Sequence, residues 1–551
     1  MYIESFKNTF AVDILEILGL VQLNEEIPNK KSTIDVTSSA PLDRVESNES
    51  TYSSDRRFQK SKTTDFSYTS IILTNEDSKY INDPYLVRWN GPDDPENPLN
   101  WSRSYKYLII ALIMVLTTVT YMGSSIYVPG QETIEAEFGI SHVIGTLNLS
   151  LYVLGYGIGP MIFSPLSEFA KLGRQQIYII TLFLYIIVNI GCATVHNISG
   201  LIVLRFLAGV FCSPSLATGG GTLADISSKE ILPTLLGFYS IGAVVAPYTA
   251  PLLGASMVVA KNWRWIFWLL CWLSTVVLLL LIFFFPETHH ENILYRRAMR
   301  LRKITGDARY YTQTSQLEEK MTIKEFLVFA LIKPFKIAVQ EPIILAFDLY
   351  ISLVYGVFYL FFEAFPIVFI GIYQFTLIEV GLSYMGFLVG CFFSFSLFLA
   401  FEAKIVQVKF RDGTFVPETY LLLACGVCWA FPAALFMFGW TAGIHWILPI
   451  LSELLFVLCD FNLFQVTFAY LALCYPRTVA SVFAGNGFCR SIFAAAFPLF
   501  GTALFNNLGS EKYPVAWGSS LLGVFAIALG SIPFLIYKYG AWLRSKSRYT
   551  G

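Results

Sequence analysis

The chain has 551 residues, of which 55% are hydrophobic and only 14% are charged. Soluble domains carry about 25% charged residues, because their outer surface faces water. The composition therefore indicates a polytopic membrane protein. A net charge of −1 argues against a nucleic-acid-binding protein, which needs clustered Lys and Arg for phosphate contacts. The sequence has no GxxxxGK(S/T) phosphate-binding loop, which argues against an ATP-driven pump.

The five His and nine Cys residues are scattered along the chain without the spacing of metal ligands. Cys425 and Cys428 form a CxxC pattern, but it lies inside an apolar helical stretch, where a small buried thiol is the simpler interpretation. We therefore predict no metal site and no cofactor.

Residues 1–106 are predicted to form a cytosolic tail that is largely disordered. Residues 32–78 are rich in Ser, Thr, Asp and Lys and have no sustained apolar period. Residues 9–23 differ, because TFAVDILEILGLVQL could form a short amphipathic helix. It carries Asp13 and Glu16 and lacks a basic start, so it is a poor signal peptide. Two interpretations stay open, a membrane-surface anchor and a transient helix in the tail.

Twelve apolar stretches of about 20 residues follow, each long enough at 1.5 Å per residue to cross the roughly 30 Å hydrocarbon core. The sequence therefore predicts an all-α membrane protein with twelve spans. The long basic gap at 286–342 divides them into a first bundle at 107–285 and a second bundle at 343–537, followed by a tail at 538–551. The predicted spans are 107–128, 143–165, 177–196, 199–222, 235–258, 264–285, 343–371, 377–400, 417–438, 447–471, 478–504 and 517–537.

Basic residues are unevenly distributed between the two sides of these spans. If the N-terminus is cytosolic, the outer loops receive only Lys261, Arg264 and Lys512. By the positive-inside rule, we predict that both termini are cytosolic. The basic residues on the predicted inner side are Lys171, Arg174, Lys229, Arg296, Arg297, Arg300, Arg302, Lys303, Arg309, Lys320, Lys324, Lys333, Lys336, Lys404, Lys409, Arg411, Arg477, Lys538, Arg544, Lys546 and Arg548.

Ionisable groups inside the hydrocarbon region are costly and usually functional. Arg205 lies about six residues inside the fourth span, or roughly 9 Å below the outer face. An arginine keeps its proton and can hold a nearby carboxylate charged; the alternative is a side chain that reaches the headgroups. Glu363 belongs to the outer part of the seventh span, and Asp348 lies near its cytosolic end. We predict that these carboxyl groups take part in proton coupling, with interfacial or structural roles as the alternatives.

The tenth and eleventh spans carry opposite charges near mid-depth. Asp460 is about thirteen residues into one span and Arg490 about twelve into the other, so we predict a buried ion pair. The alternative is a structural pair without a role in transport. Asn462, Gln465 and Asn486 add hydrogen-bonding groups nearby and are assigned to a substrate cavity.

The seventh span is rich in aromatic residues, most of which could face lipid. Tyr355 and Tyr359 lie one turn apart on one face, and a hydroxyl group prefers a polar partner to lipid. We therefore assign both tyrosines to the substrate cavity.

Three motifs carry a resemblance to a known family. The second-to-third span loop, SPLSEFAKLGRQ, resembles a degraded G-x-L-x-D-R-x-G-R-R signature and contains Glu168, Gly173 and Arg174. The fourth span reads LIVLRFLAG, similar to the proton-coupling signature L-x-x-x-R-x-x-x-G around Arg205. The fifth span resembles the antiporter signature G-x-x-x-G-P-x-x-G-G with one Gly replaced by Ala and the Gly pair missing.

These motifs resemble those of the major facilitator superfamily. Within the fifth span, the resemblance implies a helix kink at Gly242, Pro247 and Pro251. The segments DPENPLNWSRSYK, NWRWIFW and PETHHENILYRRA look like those of its fungal twelve-span drug:proton antiporter family. Within that family, the chain looks closest to the yeast transporters of fluconazole and benomyl/methotrexate resistance.

The resemblance implies two pseudo-symmetric six-helix bundles that rock around a central cavity. It implies a plasma-membrane exporter that exchanges protons for small amphipathic drugs of the azole, benzimidazole or antimetabolite class, and we expect a monomer. Arg205 would set the proton affinity of a carboxyl group, while Glu168, Gly173 and Arg174 would latch the bundles on the cytosolic side. The alternative is a polyamine or nutrient carrier of the same fold. A membrane-embedded enzyme is disfavoured, because the His residues lie in loops or at span ends.

Overall fold

The computed structural model describes residues 7–17, 23, 83–228, 231–319, 323–475, 478–547 and 549. The stretch 32–78, for which disorder is predicted, lies outside these ranges, as do Lys229, Lys320, Arg477 and Arg548. Within the described ranges the chain is built of helices, with two isolated β-bridges.

Twelve helices in the described part of the chain are long and apolar enough to cross a membrane, which confirms the predicted all-α class. Each predicted span falls on one of them. Span 8 and span 12 extend beyond the predicted ends, because the helices continue into polar residues that follow the apolar stretches. Spans 1 to 12 are Arg103–Met122, His142–Ser167, Gly173–Thr194, Ile198–Ile226, Thr234–Ala260, Arg264–Phe284, Pro342–Ile370, Leu377–Arg411, Pro417–Thr441, Ile447–Cys474, Ser481–Leu508 and Ala516–Lys546.

Shorter helices lie outside the spans. Gln131–Phe138 precedes span 2, while His290–Thr305, Gln313–Glu319 and Ile323–Gln340 lie between spans 6 and 7. Phe10–Ile17 is the helix nearest the N-terminus among the described residues. The predicted segment limits at residues 106, 285, 342 and 537 stay predictions.

Spans 1–6 pack mainly on one another, and so do spans 7–12. The two bundles meet where span 2 packs on span 11 and span 5 packs on span 8. We call the end that holds the start of span 2 the outer end and the opposite end the inner end, after the orientation that the charge distribution predicts.

Glycines permit the close packing of span 2 on span 4. A Cβ atom at Gly155 would meet the carbonyl oxygen of Phe206, and one at Gly209 would meet the carbonyl oxygen of Tyr152. Small residues let helix backbones approach closely where no hydrophobic effect drives association. This approach carries Arg205 from span 4 to the backbone of span 2.

The helix Phe10–Ile17 is docked on the inner end of the first bundle. Asp13 pairs with Arg296 at 2.7 Å, and Thr9 forms a β-bridge with Pro286. The ring of Phe10 packs against the main hydrophobic core. Residues 10–17 thus form a helix that is held by the first bundle, whereas the sequence left open a membrane-surface anchor and a transient helix in the tail.

A buried charge cluster ties residues before span 1 to the helix after span 6. Arg297 contacts Asp94 at 2.8 Å and Glu96 at 2.9 Å, and Lys7 contacts Glu96 at 2.7 Å. Burial alone would raise the pKa of Asp94, but hydrogen bonds from Arg297 and from backbone N–H groups lower it below its usual value. The pKa of Glu96 is lowered too, because the charges of Arg297 and Lys7 outweigh its burial.

Arg297→Ala should destabilise the protein by about 3–5 kcal/mol, because it leaves two buried carboxylates without their main partner. Since both carboxyl pKa values are lowered, the cluster stabilises the fold at neutral pH and loses this effect as the pH falls through their folded-state values. Thermal unfolding of the purified protein across pH measures both effects. Arg309→Ala, which removes an arginine that is 66% exposed, serves as the control. Equal unfolding curves for the two variants would contradict the assignment.

Candidate substrate and proton site

Glu363 joins the two bundles at the outer end. Its carboxylate oxygens lie 2.7 Å from His142 Nε2 and accept hydrogen bonds from Thr146 at 3.2 Å and Thr502 at 2.8 Å. His142 and Thr146 belong to span 2, whereas Thr502 belongs to span 11 of the same bundle as Glu363. The other ring nitrogen of His142 faces Glu135 at 2.9 Å. A buried carboxyl group therefore reaches solvent through a histidine whose side chain is 42% exposed.

Four tyrosines meet at mid-depth between the bundles. The hydroxyl group of Tyr355 contacts those of Tyr121 and Tyr156, and Tyr156 donates to Tyr359 at 3.3 Å. Tyr121 and Tyr156 come from spans 1 and 2, and the other two from span 7. Tyr355 and Tyr359, which the sequence places on one face of span 7, therefore lie in the same cluster. That they contact a substrate stays a prediction.

The predicted ion pair between Asp460 and Arg490 is not formed. No hydrogen bond or ion pair within the described residues joins them, although their charges interact at longer range. The guanidinium group of Arg490 instead lies 4.6 Å from the ring centres of both Tyr355 and Phe464. Counting residues from the ends of a span estimates the depth of a backbone position, but it says nothing about the direction of the side chain. Aromatic rings compensate the cation in place of a carboxylate.

Asp348 is buried at the inner part of span 7. Its Oδ1 accepts a hydrogen bond of 2.7 Å from Asn486, and its Oδ2 has no partner among the described residues. Asn462 donates within its own helix to the carbonyl oxygen of Leu458 at 2.8 Å. The buried Nε2 of Gln465 has no partner in the described part of the chain. Of the three predicted amides, only Asn486 therefore contacts another predicted site residue.

Arg205 is buried and forms no ion pair with a carboxylate among the described residues. Its side chain is fully buried, and its guanidinium group donates to the carbonyl oxygens of Asn148, Gly123 and Ser124 at 3.2, 2.8 and 3.4 Å. It also lies 4.4 Å from the ring centre of Tyr152. The cation thus binds the carbonyl groups of Gly123 and Ser124 at the C-terminal end of span 1, where the helix dipole is negative, and the carbonyl group of Asn148 in span 2. The two predicted arrangements, a carboxylate partner and a side chain that reaches the headgroups, are not found among the described residues, and the role of Arg205 in proton coupling stays a prediction.

The loop between spans 2 and 3 is held by the first bundle. Gly173 has φ +72°, and a Cβ there would also collide with Glu287. The carboxylate of Glu287 accepts the N–H of Arg174 at 3.0 Å and of Gln175 at 3.1 Å, which caps the start of span 3. The Arg174 side chain pairs with Asp225 at the end of span 4, at 2.5 Å.

These contacts do not form the predicted latch between the bundles, which stays a prediction for a conformation whose inner end is closed. Glu168 interacts electrostatically with Arg174 and Asp225 of its own bundle, and burial raises its pKa. The backbone N–H of Ala170 donates to Glu318 in the segment between spans 6 and 7. The loop that contains Glu168 and Arg174 therefore binds its own bundle and the central segment between spans 6 and 7. At the outer end, Glu363 connects the two bundles. The arrangement is that of a protein whose outer end is closed.

Span 5 lies in a continuous helix, Leu232–Ala260, that contains Pro247 and Pro251. Pro251 has no N–H, so the carbonyl oxygen of Pro247 loses its helical donor. The hydroxyl group of Ser125 donates to this oxygen at 2.9 Å. Thr118 donates to the carbonyl oxygen of Gly242 at 3.1 Å. Side chains of span 1 and of the residues directly after it thus bind the backbone of span 5, and the kink stays a prediction.

Two residues, His142 and Glu453, were not assigned to the site from the sequence. His142 was regarded only as a residue at a span end, although a buried carboxyl group such as Glu363 needs a hydrogen-bonding partner. Glu453 lies six residues inside span 10 and is fully buried. Arg205 and Asp460 were selected because each is an ionisable group inside an apolar stretch. The same criterion would have selected Glu453.

Twelve spans in two bundles, joined at the outer end through a carboxyl group, define a polytopic membrane carrier. The Major Facilitator Superfamily profile matches residues 113–498. Fluconazole resistance protein 1 of Saccharomyces cerevisiae is 56% identical over 557 residues, with 100% of both chains covered. Multidrug transporter FLR1 of Candida glabrata is 54% identical, covering 100% of this chain and 99% of the relative. The chain therefore belongs to the major facilitator superfamily, as its motifs predicted.

Among solved structures, the xylose transporter XylE of E. coli in a partially occluded inward-open conformation has a TM-score of 0.53. The match is 14% identical and covers 79% of this chain and 98% of that chain. At this identity it supports the fold alone.

Proposed function

We propose that this chain is a proton-coupled antiporter that exports small amphipathic drugs. The substrates are azole, benzimidazole and antimetabolite compounds. The names of the two fungal relatives, a fluconazole resistance protein and a multidrug transporter, support drug export. The protein acts as a monomer in the plasma membrane with both termini cytosolic, for which the distribution of basic residues is the support.

The contact of Glu363 with His142 carries the proposal of proton coupling. Both groups can bind a proton, and they come from different bundles. Gain or loss of a proton at this contact changes the interaction that holds the outer end closed. A titratable contact across the bundles thus links proton binding to alternating access.

The mid-depth tyrosines support an amphipathic substrate. Tyr355 and Tyr359 offer apolar rings and hydroxyl groups, and the Arg490 cation lies over one of these rings. Aromatic walls with few polar groups are typical of sites for small organic molecules. Rocking of the two bundles exposes this region alternately to the two sides of the membrane.

When a protonophore is added and cellular ATP is held constant, fluconazole export from cells should fall by at least about tenfold. The reason is that a loss of about 1.4 kcal/mol of driving force already changes an equilibrium ratio tenfold. Radiolabelled fluconazole accumulation measures the effect, with cells lacking the protein as the control. An imposed pH gradient across liposomes that contain the purified protein should restore transport. Export that persists under the protonophore would exclude proton coupling.

A further inference from the structure

Glu453 on span 10 is a buried carboxyl group that forms no ion pair and no side-chain hydrogen bond among the described residues. It is 0% exposed, and neither Oε1 nor Oε2 has a hydrogen-bond partner there. The N–H of Phe387, which faces the carboxyl group, donates to the carbonyl oxygen of Tyr384 at 3.2 Å. A charged carboxylate without donors or a cation in an apolar interior costs several kcal/mol even after relaxation. The neutral acid is the form that such a position accommodates.

The neighbouring span is shaped to receive this carboxyl group. A Cβ atom at Gly386 would lie 2.5 Å from Glu453 Oε2 and 2.7 Å from the Cγ2 of Ile450. The absence of a side chain at Gly386 on span 8 therefore creates the space that the acid occupies. The burial of Glu453 therefore depends on the glycine at the facing position of span 8, so the acid is part of the packing between spans 8 and 10.

One side chain, Tyr384 on span 8, is within electrostatic reach of both Glu453 and the outer-end carboxyl group of Glu363. Its hydroxyl group is buried and has no hydrogen-bond partner in the described part of the chain. Glu363 in turn contacts the half-exposed His142. Among the described residues, Tyr248 on span 5 also interacts electrostatically with Glu453, and Asp460 lies two turns along the same helix.

We propose that Glu453 is the internal proton-binding group of this transporter. The inference rests on the proton coupling proposed above. A proton from the outer solvent passes by His142 and Glu363 to the Glu453 carboxylate, giving a neutral acid while the outer end is closed. The proton leaves when a rearrangement of spans 8 and 10 lets water reach the carboxyl group.

Infrared difference spectra of the purified protein at several pH values test the proton directly. Wild type should show the carbonyl stretch of a buried carboxylic acid at neutral pH, and Glu453→Gln should lack this band. Glu379→Gln, which removes an exposed acid from the start of span 8, should keep it. A band that persists unchanged in Glu453→Gln would overturn the proposal.

Transport in liposomes tests the role in coupling. With fluconazole as the probe, Glu453→Gln should lose pH-gradient-driven accumulation by about tenfold or more, the ratio that one pKa unit of coupling supplies. Counterflow of fluconazole without a gradient should persist. Wild-type accumulation by Glu453→Gln would overturn the assignment. If the pH gradient does not change fluconazole accumulation by wild type either, the proposed function is wrong. The infrared band then still decides whether Glu453 holds a proton.

A third variant keeps the test decisive if Glu453→Gln does not fold. Glu453→Asp retains an acid but draws it back by one methylene from the space at Gly386. The infrared band should shift in Glu453→Asp and stay in place in Glu379→Asp. An unshifted band in Glu453→Asp would overturn the proposal.

Discussion

Arg205→Ala should destabilise the protein by several kcal/mol and abolish export. The substitution leaves the carbonyl oxygens of Asn148, Gly123 and Ser124 without their donor inside a fully buried site. Each unsatisfied buried acceptor costs about 1–3 kcal/mol. Arg205→Lys should recover only part of the loss, because an ammonium group lacks the planar fork that serves several acceptors at once.

Thermal unfolding of the purified protein and its amount at the cell surface measure this effect. Arg309→Ala is again the matched control, since it removes the same charge from an exposed position. A normal unfolding temperature together with lost export in Arg205→Ala would assign the residue to proton coupling alone. That outcome would contradict the role in holding spans 1, 2 and 4 together.

Glu363→Gln should open the outer end. Hydrogen bonds to a charged group contribute about 1.5–3 kcal/mol, so their weakening should shift the balance of closed and open forms by about tenfold or more. Spin labels at Val143 and Ile372, exposed positions at the outer ends of the two bundles, report the distance between the bundles. We expect longer distances in Glu363→Gln than in wild type, and weaker export.

The structure supplies a matched pair of controls for this prediction. Thr146→Ala removes a hydrogen bond to Glu363 from the other bundle, whereas Thr502→Ala removes one from the same bundle. Only Thr146→Ala should lengthen the label distance. Equal distances in both variants, or a wild-type distance in Glu363→Gln, would show that Glu363 does not hold the outer end closed.

Much of the fold follows from the sequence, because lipid imposes simple requirements. A helix that crosses hydrocarbon must be apolar over about 20 residues, so composition alone located all twelve spans. The motif that contains Gly173 and Arg174 predicted a latch between the bundles, whereas the structure shows a turn with positive φ at Gly173 and a contact between Arg174 and Asp225 of the same bundle. Glu287, which caps span 3, lies in the segment PETHHENILYRRA. From the sequence, this segment was noted only for its resemblance to the family, and no contact was predicted for it.

The partners of the charged residues followed only from the tertiary structure. Spacing along a helix fixes the depth of Arg205, Glu363 and Arg490 in the membrane, because each residue adds a constant rise. It does not fix how each helix is rotated about its axis or which helix stands beside it. Packing decided that Arg205 meets backbone carbonyl groups, and that Arg490 meets the rings of Tyr355 and Phe464.

The sequence by itself determined that this protein is a twelve-span member of its superfamily, with ionisable groups at stated depths. The tertiary structure decided which of them touch. The contact of Glu363 with His142 joins residues 221 positions apart, and the space for Glu453 is a missing Cβ on a different span. Such contacts depend on how two bundles close on each other, and that closure is set by the summed packing of many side chains. No local pattern in the chain encodes it.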